Sequence, residues 1–208
     1  MSEAAGYVAI VLAAGASRRM GEGRNKLLEA IDGRALVAHA VDAFVAAGLE
    51  RIVVVIGHEA DRVRASLAGR PGVEFVVNVD WADGMGSSLA AGARHLIETE
   101  STPVAGVFVT VGDLPGLPPA AIEAARAAHA AAPAAEAICL PTHAGRDGHP
   151  VLFGRDHLEG LAELAGDRGA RAIVEANEAN VRRVAVESNG IFRDVDTPDD
   201  LARARGAS

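Results

Sequence analysis

Short runs of branched aliphatic residues alternate with segments of helical periodicity along most of this chain. That alternation limits the fold more than any other feature of the sequence. Tyr7–Ala13 is rich in Val and Ile, Arg51–Ile56 (RIVVVI) reads as a buried strand, and Val73–Val77, Val104–Val111 and Ala137–Leu140 continue the series. Between them, Leu36–Ala47 places Leu36, Val37, Ala40, Val41, Phe44 and Val45 on one helical face. Glu59–Leu67, Ser87–Ile97 and the alanine-rich Pro118–Ala131, with prolines at its start, are further helices. Such a series predicts an α/β fold: a three-layer, Rossmann-like α/β/α domain with a mostly parallel sheet. After Pro141 the rhythm changes. Glycines 145, 148 and 154 surround Pro150–Phe153 and suggest a small β-hairpin insertion, followed by helices over 155–164 and 168–176, a strand over Val181–Val186 and a last helix from Pro198. At 208 residues, without a repeat or a linker, the chain reads as one domain over 1–208.

Charge and composition exclude several classes. The net charge of −8 disfavours a nucleic-acid binder, which needs a basic face. No apolar run approaches the roughly 20 residues needed to span a bilayer. Met1-Ser2-Glu3 lacks the basic start of a secretory signal, so a cytoplasmic location without membrane association is expected. The single cysteine, Cys139, lies in an apolar stretch and reads as a buried thiol. Of the 20 basic residues other than histidine, 19 are arginine and one is lysine, Lys26.

That lysine closes a glycine-rich loop. The first strand runs into Leu12-Ala13-Ala14-Gly15-Ala16-Ser17-Arg18-Arg19-Met20-Gly21, and Asn25-Lys26 follows. Small residues after a strand let backbone N–H groups approach an anion, while Arg19 offers a planar fork to phosphate and Lys26 a mobile point charge. Neither the Gly-Lys-Ser/Thr of a Walker loop nor the G-x-G-x-x-G dinucleotide pattern is present. Read alone, the segment also fits a tight turn with solvent-facing arginines.

The loop resembles the N-terminal motif of the MobA-like nucleotidyltransferases, with Gly15, Ser17, Arg19, Met20, Gly21 and Lys26 in the matching positions. Asn78–Gly92, Gly145–Phe153, Gly166–Arg171 and Asp194–Leu201 resemble segments of the molybdenum cofactor cytidylyltransferase (MocA-like) subfamily, and Gly112-Asp113-Leu114-Pro115 its G-D-x-P element. The resemblance implies a GT-A-like nucleotidyltransferase fold and transfer of CMP from CTP to the phosphate of molybdopterin or molybdenum cofactor, with Mg²⁺ as cofactor. A molybdenum hydroxylase is the implied client. A different phosphate acceptor, such as a sugar phosphate, and a cofactor-delivery chaperone without turnover are the alternatives.

Candidate site residues follow from both readings. Asp113 sits at the C-terminal end of a strand, where ligands gather in open α/β sheets, and suits a Mg²⁺ that takes few carboxylates plus phosphate oxygens; a turn or cap before Pro115 is its structural alternative. Asp194 and Asp196 alternate on an expected strand and so share a face. The resemblance places the second metal ligand there, Asp196 ahead of Asp194. Asp199 and Asp200, after Thr197-Pro198, read as a capped helix start. The nucleotide is expected at Leu12, Ala13, Ala14, Gly15, Ser17, Arg19, Gly21, Lys26, Asn78, Gly84, Ser87, Ser88 and Asp113. Ser87 or Ser88 equally suits a helix cap. By resemblance, Ser88 lies beside cytosine, and Ala14 favours CTP over GTP. His149, Arg168 and Arg171 are the expected acceptor contacts, with turn and surface roles as alternatives and Asp167 as a helix cap. Trp81 suits either core packing or stacking. Lys26, Arg19 and Asp113 would carry catalysis by charge and position, since a phosphate nucleophile needs no strong base.

Overall fold

The computed structural model describes residues 6–21, 23–99, 104–132 and 134–206. Its elements follow the chain as β1 (Tyr7–Ala13), a two-residue hairpin β2 (Ala30–Ile31) and β3 (Arg34–Ala35), α1 (Leu36–Ala46), β4 (Ile52–Ile56), α2 (Ala60–Ser66), β5 (Val73–Val77), α3 (Met85–Thr99), β6 (Gly106–Val111) and α4 (Pro119–Ala131). They continue as β7 (Ile138–His143), β8 (Arg146–Asp147), β9 (Val151–Gly154), α5 (Leu158–Ala162), α6 (Arg171–Ala176), β10 (Val181–Ala185) and α7 (Pro198–Gly206). The main sheet has the order β10-β7-β9-β6-β1-β4-β5, with β8 paired to β7. β1 pairs in parallel with β4 and β6, β4 with β5, and β7 with β10. β9 runs antiparallel between β6 and β7.

The three-layer α/β/α expectation holds, with one relocation. The hairpin is the pair β7–β8, which turns through Ala144 (φ 49°) and Gly145 (φ 76°). Two successive left-handed residues match the twist of a tight hairpin, and glycine tolerates that conformation best. Val151–Gly154 is not part of an insertion but an interior strand, all four residues buried. Its short apolar run looks the same in sequence whether it sits in a hairpin or in a sheet.

Strand alternation divides the core in two. Ala9, Val11 and Ala13 of β1 pack with Ile52, Val54 and Ile56 under α1, α2 and α4, whereas Val8, Ile10, Val53 and Val55 face α3 and α5. Gly92 lets α3 lie close to the sheet: a Cβ there would meet methyls of Ile10 and Val55 at 2.9 Å. Cys139 is fully buried, and burial pushes its thiol pKa up.

A third, smaller cluster joins Met20, Ile31, Leu36, Val195 and Leu201. Burying a side chain such as Met20 or Val195 stabilises by about 1.5–3 kcal/mol. The cluster ties the glycine loop to the segment before α7 and thereby assembles the site. No helix among the described residues is long and apolar enough to cross a membrane.

Candidate active site

The site lies at the C-terminal ends of β1 and β6, where the parallel strands deliver their loops. Ser17 takes a left-handed conformation (φ 54°), and the chain then turns through Arg18–Met20. The Gly15 and Ala16 amides take no partner among the described residues, leaving donors for an anion. Ser17 Oγ accepts the Lys26 N–H at 3.1 Å and donates to Asn25 Oδ1 at 3.4 Å, while that oxygen accepts the Leu27 N–H at 3.1 Å. This clamp fixes the backbone from which the Lys26 stem projects.

Across the cleft, Gly112 N–H donates to the Leu12 carbonyl at 2.9 Å, which brings Asp113 beside the loop. Val195 N–H donates to the Asp113 carbonyl at 3.0 Å. Val195 points into the third cluster, so its neighbours Asp194 and Asp196 point to the cavity. They share a face as expected, but on an extended segment outside the sheet rather than on a strand. The bond to the Asp113 carbonyl and the burial of Val195 set the alternation there.

Lys26 Nζ lies 2.5 Å from Asp113 Oδ2 and 2.6 Å from Asp196 Oδ1, and the Arg19 guanidinium bonds Asp196 Oδ2. Burial disfavours the Lys26 charge, but the two carboxylates outweigh it and raise its pKa. Asp196 shows the same contest: burial pushes upward, and its bonds to Lys26 and Arg19 win, lowering it. Among the described residues Asp194 makes no such ion pair, and burial, with the Asp113 charge beside it, raises its pKa.

Among the described residues no three His, Cys, Asp or Glu side chains converge as a closed metal cage. The donor set instead suits a hard cation completed by phosphate oxygens and water. Asp113 Oδ1 is buried and unpaired, an available hard donor next to Asp196 and Asp194.

A cavity of about 1150 Å³ extends from the glycine loop to α6. Leu12, Ala14, Gly15, Ser17, Arg19, Lys26, Gly84, Ser88 and Asp113 line its loop side. Trp81 forms part of the wall and packs against Gly57, where a Cβ would meet its side chain at 2.7 Å. Gly86 N–H donates to the Gly166 carbonyl at 2.7 Å and closes the wall below. The far side carries His149, Arg168 and Arg171, with Asp147, Arg183 and Phe192 beside them. Burial lowers the His149 pKa, and its Nδ1 is buried without a partner. The two arginines share Glu175 and are otherwise exposed.

Not every expected contact reaches this cavity. Ala13 is packed in the core, and Gly21 lines a separate hollow beside Arg18, Arg24 and His58. Asn78 Nδ2 donates to Ser87 Oγ at 2.9 Å and Ser88 Oγ at 3.0 Å, and the Ser87 hydroxyl lies 2.9 Å from the Gly84 and Asp80 carbonyls. Asn78 and Ser87 thus support the wall from behind, and only Ser88 faces the cavity. Neither serine caps α3, which begins two residues earlier at Met85. Asp167 does not cap α6, whose N-cap is Ala170. Thr197, Asp199 and Asp200 do form a helix start. Thr197 Oγ1 accepts the Asp200 N–H, and the Asp200 carboxylate accepts the Thr197 N–H at 2.8 Å. Asn25 was not singled out by its sequence, although an Asn before a short helical turn is itself a cap signal. Met1–Glu3 and Glu22 lie outside the described residues.

Residues 9–182 match the MobA-like NTP transferase domain. The chain belongs to that family. Its chemistry is accordingly of the nucleotidyltransferase class, which uses a divalent metal. The family member is 31% identical over 200 residues to nicotine blue oxidoreductase of Paenarthrobacter nicotinovorans, covering 93% of this chain and 94% of that protein. It is 34% identical over 186 residues to the bifunctional protein GlmU of Kineococcus radiotolerans, covering 88% of this chain but only 35% of GlmU. It also superposes on the manganese complex of Rv0371c from Mycobacterium tuberculosis with a TM-score of 0.75, 28% identity and coverage of 98% and 100%.

Proposed function

We propose that this MobA-like transferase moves the cytidylyl group of CTP onto the terminal phosphate of molybdopterin or molybdenum cofactor. An acceptor phosphate oxygen attacks the α-phosphorus, the bond to the bridging oxygen breaks, and pyrophosphate leaves. The observation that carries the reading is the meeting of Lys26, Arg19, Asp113 and Asp196 at the mouth of the glycine loop, in a cavity that continues to His149, Arg168 and Arg171.

The Gly15 and Ala16 amides bind phosphate oxygens, and Arg19 and Lys26 balance the charge that collects on the departing pyrophosphate. Ala14 and Ser88 line the cavity, and in this reading they flank the cytosine. Arg168 and Arg171 hold the acceptor's phosphate, and His149 orients it. A Mg²⁺ held by Asp113 and Asp196, with Asp194 beside them, supplies further neutralisation of phosphate charge when bound. The product would serve a molybdenum hydroxylase in the cytoplasm.

The GlmU similarity over 88% of the chain favours one second reading, a sugar phosphate as acceptor. An assay of pyrophosphate release with CTP, GTP and UTP against molybdopterin and sugar 1-phosphates separates the two. Pyrophosphate is expected with CTP and molybdopterin. Lys26→Ala and Asp113→Ala should each lower the rate by about 10²–10³ with the fold intact, and Lys26→Arg should lose most of the activity despite its charge. Near-normal turnover in Lys26→Ala and Asp113→Ala would refute the assignment. Redox turnover without pyrophosphate would move the chain toward the oxidoreductase it resembles.

A further inference from the structure

The two cations suited to the triphosphate are both engaged by the carboxylates suited to the metal. Lys26 Nζ bridges Asp113 Oδ2 and Asp196 Oδ1, and Arg19 holds Asp196 Oδ2. Both oxygens of Asp196 are therefore capped, and on Asp113 only Oδ1 is left unpaired. A Mg²⁺ bonds carboxylate oxygens at about 2.0–2.1 Å. An ion between Asp113 and Asp196 could take Asp113 Oδ1, but on Asp196 it would have to displace Lys26 or Arg19, and it would stand within a few ångströms of the ammonium.

We propose that Lys26 and Arg19 form a cationic latch over the carboxylate pair. In the nucleotide-free protein the latch excludes divalent metal, and a triphosphate opens it by drawing both side chains onto its own oxygens. The inference rests on the nucleotide reading for what opens the latch, but not for the latch itself.

Local structure suits the device. The Lys26 backbone is clamped by Ser17 and Asn25, so only its flexible four-carbon stem need swing. The Arg19 side chain is 74% exposed and meets little resistance to leaving. Arg18, its neighbour on the same loop, lines the cavity and makes no ion pair among the described residues. It provides a control that removes the same unit of charge without touching the latch.

The test is titration of Mn²⁺ into the nucleotide-free protein, followed by electron paramagnetic resonance and by the melting temperature. Lys26→Met should bind Mn²⁺ at least tenfold more tightly than the wild type and gain more melting temperature from it. Lys26→Gln should behave alike, which guards against a packing artefact of the methionine. Arg18→Met should change the affinity less than threefold. Unchanged or weaker Mn²⁺ binding in both folded Lys26 variants would overturn the latch. Equal tightening in Arg18→Met would overturn it too, because a general field would then suffice. A CTP arm keeps the two readings apart. If Lys26 variants bind Mn²⁺ more tightly but CTP binds no form of the protein, the latch stands and the nucleotide reading falls.

Discussion

Asn25 shows how much of the site depends on a residue that does not itself line the cavity. It is 4% exposed, and its Oδ1 takes the Leu27 amide and the Ser17 hydroxyl while Ser17 in turn holds the Lys26 amide. Asn25→Ala should cost about 1 kcal/mol of stability as a lost cap. It should also lower turnover at saturating nucleotide by roughly tenfold, the 1.4 kcal/mol of a misaimed charge. Thermal unfolding and steady-state kinetics together check this; unchanged turnover would reduce Asn25 to a cap alone. Lys26 is conspicuous in the sequence as the sole lysine, closing a glycine-rich loop, and Asp113 as an acid at the C-terminal end of a strand. Asn25 is not, because its partners, the Leu27 amide and the Ser17 hydroxyl, come to it only once the loop has folded.

Between elements, the start of α7 reaches into the site. Thr197 and Asp200 cap the helix reciprocally, and Asp200 Oδ2 also accepts the Asp196 N–H at 3.2 Å. The hydroxyl and amides of Thr197 and Asp196 hold the Asp200 carboxyl down at about 2. Thr197→Ala should lower stability by about 1 kcal/mol, or about 2–4 °C in melting temperature for a chain of this size. Calorimetry measures the first effect, and a weakened response to Mn²⁺ with CTP would report the loosened Asp196. This helix start was legible beforehand, since Thr-Pro-Asp-Asp carries its own local chemistry. The strand expected at Asp194–Asp196 was not a strand, because alternation in sequence describes an extended backbone and says nothing about whether a partner strand is available. The same limit hid the position of β9, whose place between β6 and β7 depends on pairing with distant residues.

For the molecule as a whole, the alternating elements fixed the layers in advance, while the meeting of residues 19, 26, 113 and 196 needed the third cluster of Met20 and Val195 to close them together. Electrostatics also secure the opposite edge of the sheet. Arg51 bonds Glu74 through Nε at 2.8 Å, and His95 of α3 lies 2.9 Å from the same carboxylate. The bond from Arg51, against a smaller opposing effect of burial, holds the Glu74 pKa below its ordinary value of 4.5. Because the folded value is the lower one, the stabilisation is complete above pH 4.5 and is lost as the pH falls through the folded pKa. Glu74→Gln should therefore melt lower than the wild type at pH 7, with the gap closing toward acid. A gap independent of pH, in melting curves taken across that range, would contradict this origin.

β9 carries one more consequence. An antiparallel strand among parallel ones presents its beginning, not its end, to the edge where the others finish, and so His149 arrives at the site from the opposite chain direction to Asp113. It also holds β6 and β7 two strand spacings apart, roughly 10 Å. The two sides of the cavity are thereby carried on separately paired stretches of one sheet. The 142–150 segment can therefore change shape while the ladder of β1, β4 and β6 that carries the glycine loop keeps its register, and if the proposed function holds, the acceptor side can vary without disturbing the nucleotide side.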